Sequence, residues 1–162
     1  LHGQTVFSDF ADLVKLEYLE AAATESMRLK PIAPQNGATA LVDADLGGLR
    51  IPKGQYMIMM SRPSAFDAAT FPDPMVFRPE RWLGENAESA DDTRRSIFPF
   101  GGGPRYCPGR YLAMVEIKMV TAMALGNFRV SLDADASTIA EHFTFTMGPD
   151  RLPMRFVERR AG

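Results

Sequence analysis

The sequence predicts an α+β fold, mostly helical, with a small β-sheet. Three observations carry that prediction. Two long stretches, 13–29 and 110–125, place apolar residues at helical spacing. Two groups of short apolar runs, over 38–60 and 128–157, are cut by Gly and Pro turn signals. Between them lies an irregular Pro- and Gly-rich middle that holds the single cysteine.

The 162 residues are 46% hydrophobic and 23% charged, which suits one globular domain with a core of its own. A net charge of −2 argues against a nucleic-acid partner. No apolar run approaches the ~18 residues that a membrane helix needs, and no signal peptide opens the chain. A soluble, reducing, cytoplasmic setting is the expectation. The opening LHGQTVFSDF lacks an initiator Met and any capping device, so the chain is expected to begin inside a longer protein.

Residues 1–11 read as a loop. Leu13 to Leu29 is rich in strong helix formers, with Leu16, Leu19, Ala23 and Met27 on one side, and Pro31 ends it. Glu25 and Arg28 lie three apart on this helix, within pairing distance; taken alone, such a pair is usually a solvated one. Ala38–Val42, Leu49–Ile51 and Gln55–Met60 read as strands of a small sheet, separated by Gly47-Gly48 and Pro52-Lys53-Gly54. Residues 62–74 are irregular, with one helical turn near Ser64–Ala68. The polar run 84–95 reads as a surface loop. Arg110 to Leu125 forms a long, mostly buried helix stopped by Gly126-Asn127. Its methionines read as core filling rather than a copper site. Phe128–Leu132, Phe143–Met147 and Leu152–Val157 follow as strands, the last two joined as a hairpin across 148–151. His2 and His142 form no metal constellation.

Cys107 has no second thiol to bridge and no nearby His to share a zinc. It is therefore either inert packing or a lone reactive or ligating thiolate. Its flanks favour a ligand. Pro108 is placed to open the following helix, so Cys107 would cap it and face unpaired N–H groups and the positive end of the dipole. Gly101, Gly102, Gly103 and Gly109 allow sharp turns and close approach to something flat and bulky.

Phe100, Gly103, Arg105, Cys107 and Gly109 together spell FxxGxRxCxG, a pattern that average residue usage yields by chance on the order of once in ten million starting positions. The chain resembles the cytochrome P-450 family of haem-thiolate monooxygenases. The resemblance implies that haem b is the cofactor and that Cys107 is both the catalytic centre and the axial ligand on the iron. It implies that Phe100 packs beside the sulfur, that Arg105 pairs with a propionate, and that Gly103 and Gly109 permit the loop's close approach. A thiolate ligand favours cleavage of a bound O–O bond. The same resemblance makes Glu25-x-x-Arg28 and FRPERW, residues 77–82, two parts of one buried charge network that includes Arg81. It places Pro31–Asn36 and the region His142–Phe145 along a substrate pocket.

The fold implied is the C-terminal part of the family's fold, with the oxygen-activating helix absent from 1–162. The implied reaction is insertion of one oxygen atom of dioxygen into a small organic substrate, with electrons from a ferredoxin or flavin reductase. The chain alone is then expected to be inactive. A haem-binding or structural remnant without turnover, and a peroxide-using or rearranging member, stay open as alternatives. Arg94, Arg95, Arg110 and Lys118 lie near Cys107 in sequence and are expected to form a basic face for an acidic electron donor.

Overall fold

The computed structural model describes residues 11–84 and 97–159. His2, Arg94, Arg95 and nearly all of the two loops expected at 1–11 and 84–95 lie outside the described residues. Helix α1 (Ala11–Val14) and helix α2 (Glu17–Leu29) divide the stretch expected as one helix. The break falls at Lys15-Leu16, where Leu16 takes a non-helical φ/ψ of −89°/56° and offers no side-chain cap. Glu17 and Glu20 occupy the first turn of α2 and Arg28 the last, charges placed favourably for the helix dipole. The C-terminal end closes with Lys30 N–H donating to Ser26 C=O at 2.8 Å.

The face that α2 buries most deeply is Ala21, Glu25 and Arg28, at i, i+4 and i+7. Leu16, Leu19, Ala23 and Met27, expected as the packed side, are only half-buried. The reason is what α2 packs on: a short 3-10 turn over Pro79–Trp82 that offers hydrogen-bond donors, backed by Phe71. Ala21, Ala65, Phe71, Trp82 and Ile97 form the compact core here, with the Phe71 and Trp82 rings 6.2 Å apart. Ala65 belongs to α3 (Arg62–Ala65), the one helical turn expected in the irregular middle.

The strands differ from expectation in arrangement. Instead of one small sheet, β1 (Gln35–Thr39) pairs antiparallel with β4 (Tyr56–Met60), while β2 (Ala44–Leu46) and β3 (Leu49–Ile51) make a separate hairpin. β1 starts at Gln35 rather than Ala38, because pairing with β4 runs from Gln35↔Met60 to Thr39↔Tyr56. Nothing apolar in QNG announces it. Gly37 leaves room for the Tyr56 ring on β4: a Cβ would lie 1.9 Å from the Tyr56 hydroxyl, which would have to swing aside.

Helix α4 (Arg110–Asn127) is the longest element and packs on α2. It begins at Arg110 with Gly109 as its N-cap, so Cys107 stands ahead of the helix rather than capping it. After α4, β5 (Phe128–Leu132) pairs with β8 (Met154–Glu158), and β6 (Glu141–Phe143) pairs with β7 (Met147–Pro149). The hairpin is thus β6–β7, and residues 144–146 form its turn, closed by Thr144 N–H to Thr146 C=O at 3.1 Å. Phe143–Met147, expected as a strand, is mostly that turn. Gly148-Pro149 sits in β7, where Pro149 ends the ladder opposite Glu141 and so loses no central bond.

Candidate functional site

The loop between Ile97 and Gly109 is built on its glycines. Gly101 and Gly103 have φ of +72° and +62°, a left-handed conformation that side chains disfavour. Gly101 N–H donates to Phe98 C=O at 3.1 Å, and Tyr106 N–H to Gly103 C=O at 3.1 Å across a short 3-10 turn, Gly103–Arg105. Cys107 N–H then donates to Phe100 C=O at 2.9 Å and closes the loop at its base. Cys107 itself is half-buried. Its sulfur lies along Gly109, where a Cβ would come within 3.7 Å of Sγ. Arg105 is exposed, and Phe100 is half-buried.

Among the described residues no group of three or more His, Cys, Asp or Glu side chains could hold a bare metal ion. A lone thiol is too few donors for zinc or copper, which require three or four from the protein. It suits an iron whose other positions are filled by a macrocycle. Phe100, Gly103, Arg105, Cys107 and Gly109 fit such a group: one thiol donor on a glycine-rich loop, with an exposed cation two residues before it in sequence.

Behind the loop lies the charge network. Glu25 and Arg28 are 0% and 1% exposed. Glu25 accepts from Arg28 Nε at 2.9 Å and Nη2 at 2.8 Å, and from Arg81 Nε at 3.3 Å. It also accepts from two groups that sequence reading missed, Trp82 Nε1 at 3.0 Å and the Arg78 backbone N–H at 3.0 Å. Arg28 Nη1 donates to Ala65 C=O at 2.7 Å, and its guanidinium lies 5.0 Å from the centre of the Phe71 ring. Burial alone would raise the Glu25 carboxyl; the hydrogen bonds from Arg28, Arg78 and Trp82 outweigh it and hold the group below its ordinary value. The pattern FRPERW contained the signal for Trp82, since a Trp beside an Arg in a short turn needs an acceptor when buried.

A cavity of about 630 Å³ adjoins the loop on the side of Phe100, Gly101 and Gly102, bounded also by Thr24, Trp82 and Arg110. Cys107 is not one of its walls, so it backs the loop rather than facing the sulfur. Lys118, expected on a basic docking face, is buried and donates to Glu20 at 2.7 Å, because its side of α4 is the one turned to α2. Arg110 remains exposed, within 5.8 Å of the Tyr106 and Tyr111 ring centres. The segment after α2 meets the β6–β7 hairpin directly: Met147 N–H donates to Ile32 C=O at 2.8 Å.

A family model described as Cytochrome P-450 matches residues 3–156. The chain belongs to the cytochrome P-450 family. It is 38% identical over 124 residues to cytochrome P-450 monooxygenase aneD of Aspergillus aculeatus, covering 76% of this chain and 23% of that protein. It is 32% identical to the human mitochondrial 25-hydroxyvitamin D-1 alpha hydroxylase, covering 97% of this chain and 30% of that one. The solved haem domain of cytochrome P-450DA superposes on 98% of the chain with a TM-score of 0.88 at 26% identity, using 34% of its own length. The chain therefore spans about a quarter to a third of these proteins. The P-450 cofactor is haem b, and the α+β arrangement described above is a portion of the P-450 haem domain. Among the described residues no helix is long and apolar enough to cross a membrane.

Proposed function

We propose that this chain is the C-terminal, haem-binding part of a monooxygenase that inserts one oxygen atom of dioxygen into a small organic substrate, with Cys107 as axial ligand and catalytic centre. The single observation that carries the reading is the Cys107 loop, closed by the Phe100–Cys107 backbone bond and leaving one thiol among glycines. When bound, haem supplies the dioxygen-activating chemistry, to which a thiolate ligand donates electron density. The residues' own tasks are to hold and orient. Phe100 would shield the sulfur side, and Gly103 and Gly109 would let the loop backbone approach a bound haem closely. Arg105 would take a propionate, a charge-assisted contact that an exposed guanidinium can make. Glu25, Arg28 and Arg81, with Trp82, fix α2 behind the loop.

The substrate is read as a small organic molecule, and the two segments that the resemblance sets along its pocket, 31–36 and 142–145, are held near each other by the Met147–Ile32 bond. The electron donor is read as a ferredoxin or flavin reductase, with Arg110 as the exposed cation it would meet; Lys118 takes no part. A cytoplasmic setting is our reading of place, to be checked by fractionation.

The test is spectroscopic. The full-length parent, haem-loaded, reduced and under carbon monoxide, is expected to show the strongly red-shifted Soret band of thiolate ligation, and Cys107→His to abolish it. A histidine-like band in the unmodified protein overturns the assignment.

A further inference from the structure

Glu141 lies at the base of the β6–β7 hairpin and meets two cations from two other elements. Its Oε2 accepts from Arg62 Nη2 of α3 at 2.6 Å, and its Oε1 accepts from Lys30 Nζ, just past the C-terminal end of α2. These bonds span 79 and 111 residues of sequence, so they join parts of the chain that nothing local would bring together. Hydrogen bonds from Lys30 and then Arg62 hold the Glu141 carboxyl below its ordinary value. Arg62 is committed to this contact. Its guanidinium lies 6.0 Å from the Phe66 ring centre, and its Nε is buried with no acceptor among the described residues. One end of the hairpin is thereby tied by charge; the other is tied by Met147 N–H to Ile32 C=O at 2.8 Å. Ile32 follows Pro31, and Pro31 and Ser61 line a small cavity with Phe98 and Pro99, where the Cys107 loop begins. Between the two ties the turn 144–146 projects, with Phe145 95% exposed.

We propose that Glu141 is a positioning residue: bridging Lys30 and Arg62, it locks the β6–β7 hairpin onto the segment after α2 and so sets where Phe145 meets an organic substrate. The second half of that statement rests on the function proposed above; the lock itself does not. A hairpin of three paired residues on each side has little stability of its own, and loop-closure entropy works against holding it so far along the chain. Two fixed contacts remove most of the rigid-body freedom left to the turn. Glu141 is one-third exposed, so its pairs are individually weak and act by geometry more than by strength.

The experiment uses the haem-loaded full-length parent and its Glu141→Gln variant, with Glu158→Gln on β8 as a control. Hydrogen exchange at the Met147 amide is expected to become roughly two- to fivefold faster in Glu141→Gln alone. The carbon-monoxide spectrum should stay unchanged. Across a panel of apolar ligands, the half-saturation of the ligand-induced Soret shift should rise, and Glu141→Asp should restore part of it. Unchanged exchange at Met147 overturns the lock. Faster exchange with no change in half-saturation for any ligand overturns the positioning role. A protein that lacks the thiolate spectrum before any substitution speaks against the proposed function instead, and the exchange comparison still reads the lock.

Discussion

Glu25 has a carboxylate that receives five N–H groups among the described residues while wholly shielded from water. Removing it would leave the Arg28 guanidinium buried without a counter-charge, and such a loss costs about 3–5 kcal/mol, against about 1 or less for an exposed pair. Glu25→Ala is therefore expected to give poorly folded, haem-poor protein. Normal haem content and an unchanged denaturation midpoint would show the network to be dispensable. The direction of its pH dependence follows from the same geometry. The folded carboxyl is held below its unfolded value of about 4.3. Its contribution is thus fully present above about pH 4.3 and is lost as pH falls through the lower folded value. Denaturant midpoints should drop more steeply on acidification in the unmodified protein than in Glu25→Gln.

At the scale of elements, the loop and the helices behind it divide the work. Gly103 needs its left-handed φ of +62°, yet no atom lies within 4 Å of where its Cβ would stand. Gly103→Ala should then cost only the backbone strain, about 1–2 kcal/mol, with reduced haem retention if the loop relaxes. Gly109 has an ordinary φ of −83° and contact-distance room for a Cβ, so Gly109→Ala should leave the protein's stability nearly unchanged. A larger stability loss at Gly109 than at Gly103, read by thermal unfolding, would reverse this account. Helix α4 shows a different economy. It is apolar almost all round, but Tyr111, Leu112 and Val120 are 76%, 63% and 67% exposed, so only its Lys118–Ala122 side is packed.

At the scale of the whole molecule, many large apolar side chains are exposed among the described residues, including Ile58, Met59 and Met60 on β4 and Tyr111, Leu112 and Val120 on α4. Residues 1–162 expressed alone are therefore expected to bind hydrophobic dyes, to retain haem weakly, and to hydroxylate nothing. A planar cofactor held from one face loses much of the burial that would keep it, and oxygen chemistry needs a shielded opposite face. Product formation with peroxide or an artificial electron donor, scored against Cys107→Ser, is the measurement. Coupled, Cys107-dependent turnover by these residues alone would show that this portion suffices.

Residue spacing carried the resemblance to the family, the Cys107 loop, and the reach of Glu25 to Arg28, because each is local: a fixed pattern of glycines around one thiol, and two charges three apart on a helix. It determined that helices and strands alternate, and roughly where. What spacing could not carry was partnership at a distance. Gln35–Thr39 became a strand only because β4 lies beside it, and near the end β5 paired with β8 across the β6–β7 hairpin, in place of the hairpin expected between 143–147 and 152–157. Lys118 read as a surface cation until α2 packed over it, and Trp82 had no role assigned until Glu25 proved to be its acceptor. Glu141 offered no motif at all; its two cations lie 79 and 111 residues away. Hydrogen bonds and ion pairs form between groups a few ångströms apart in space, and only the folded chain decides which groups those are.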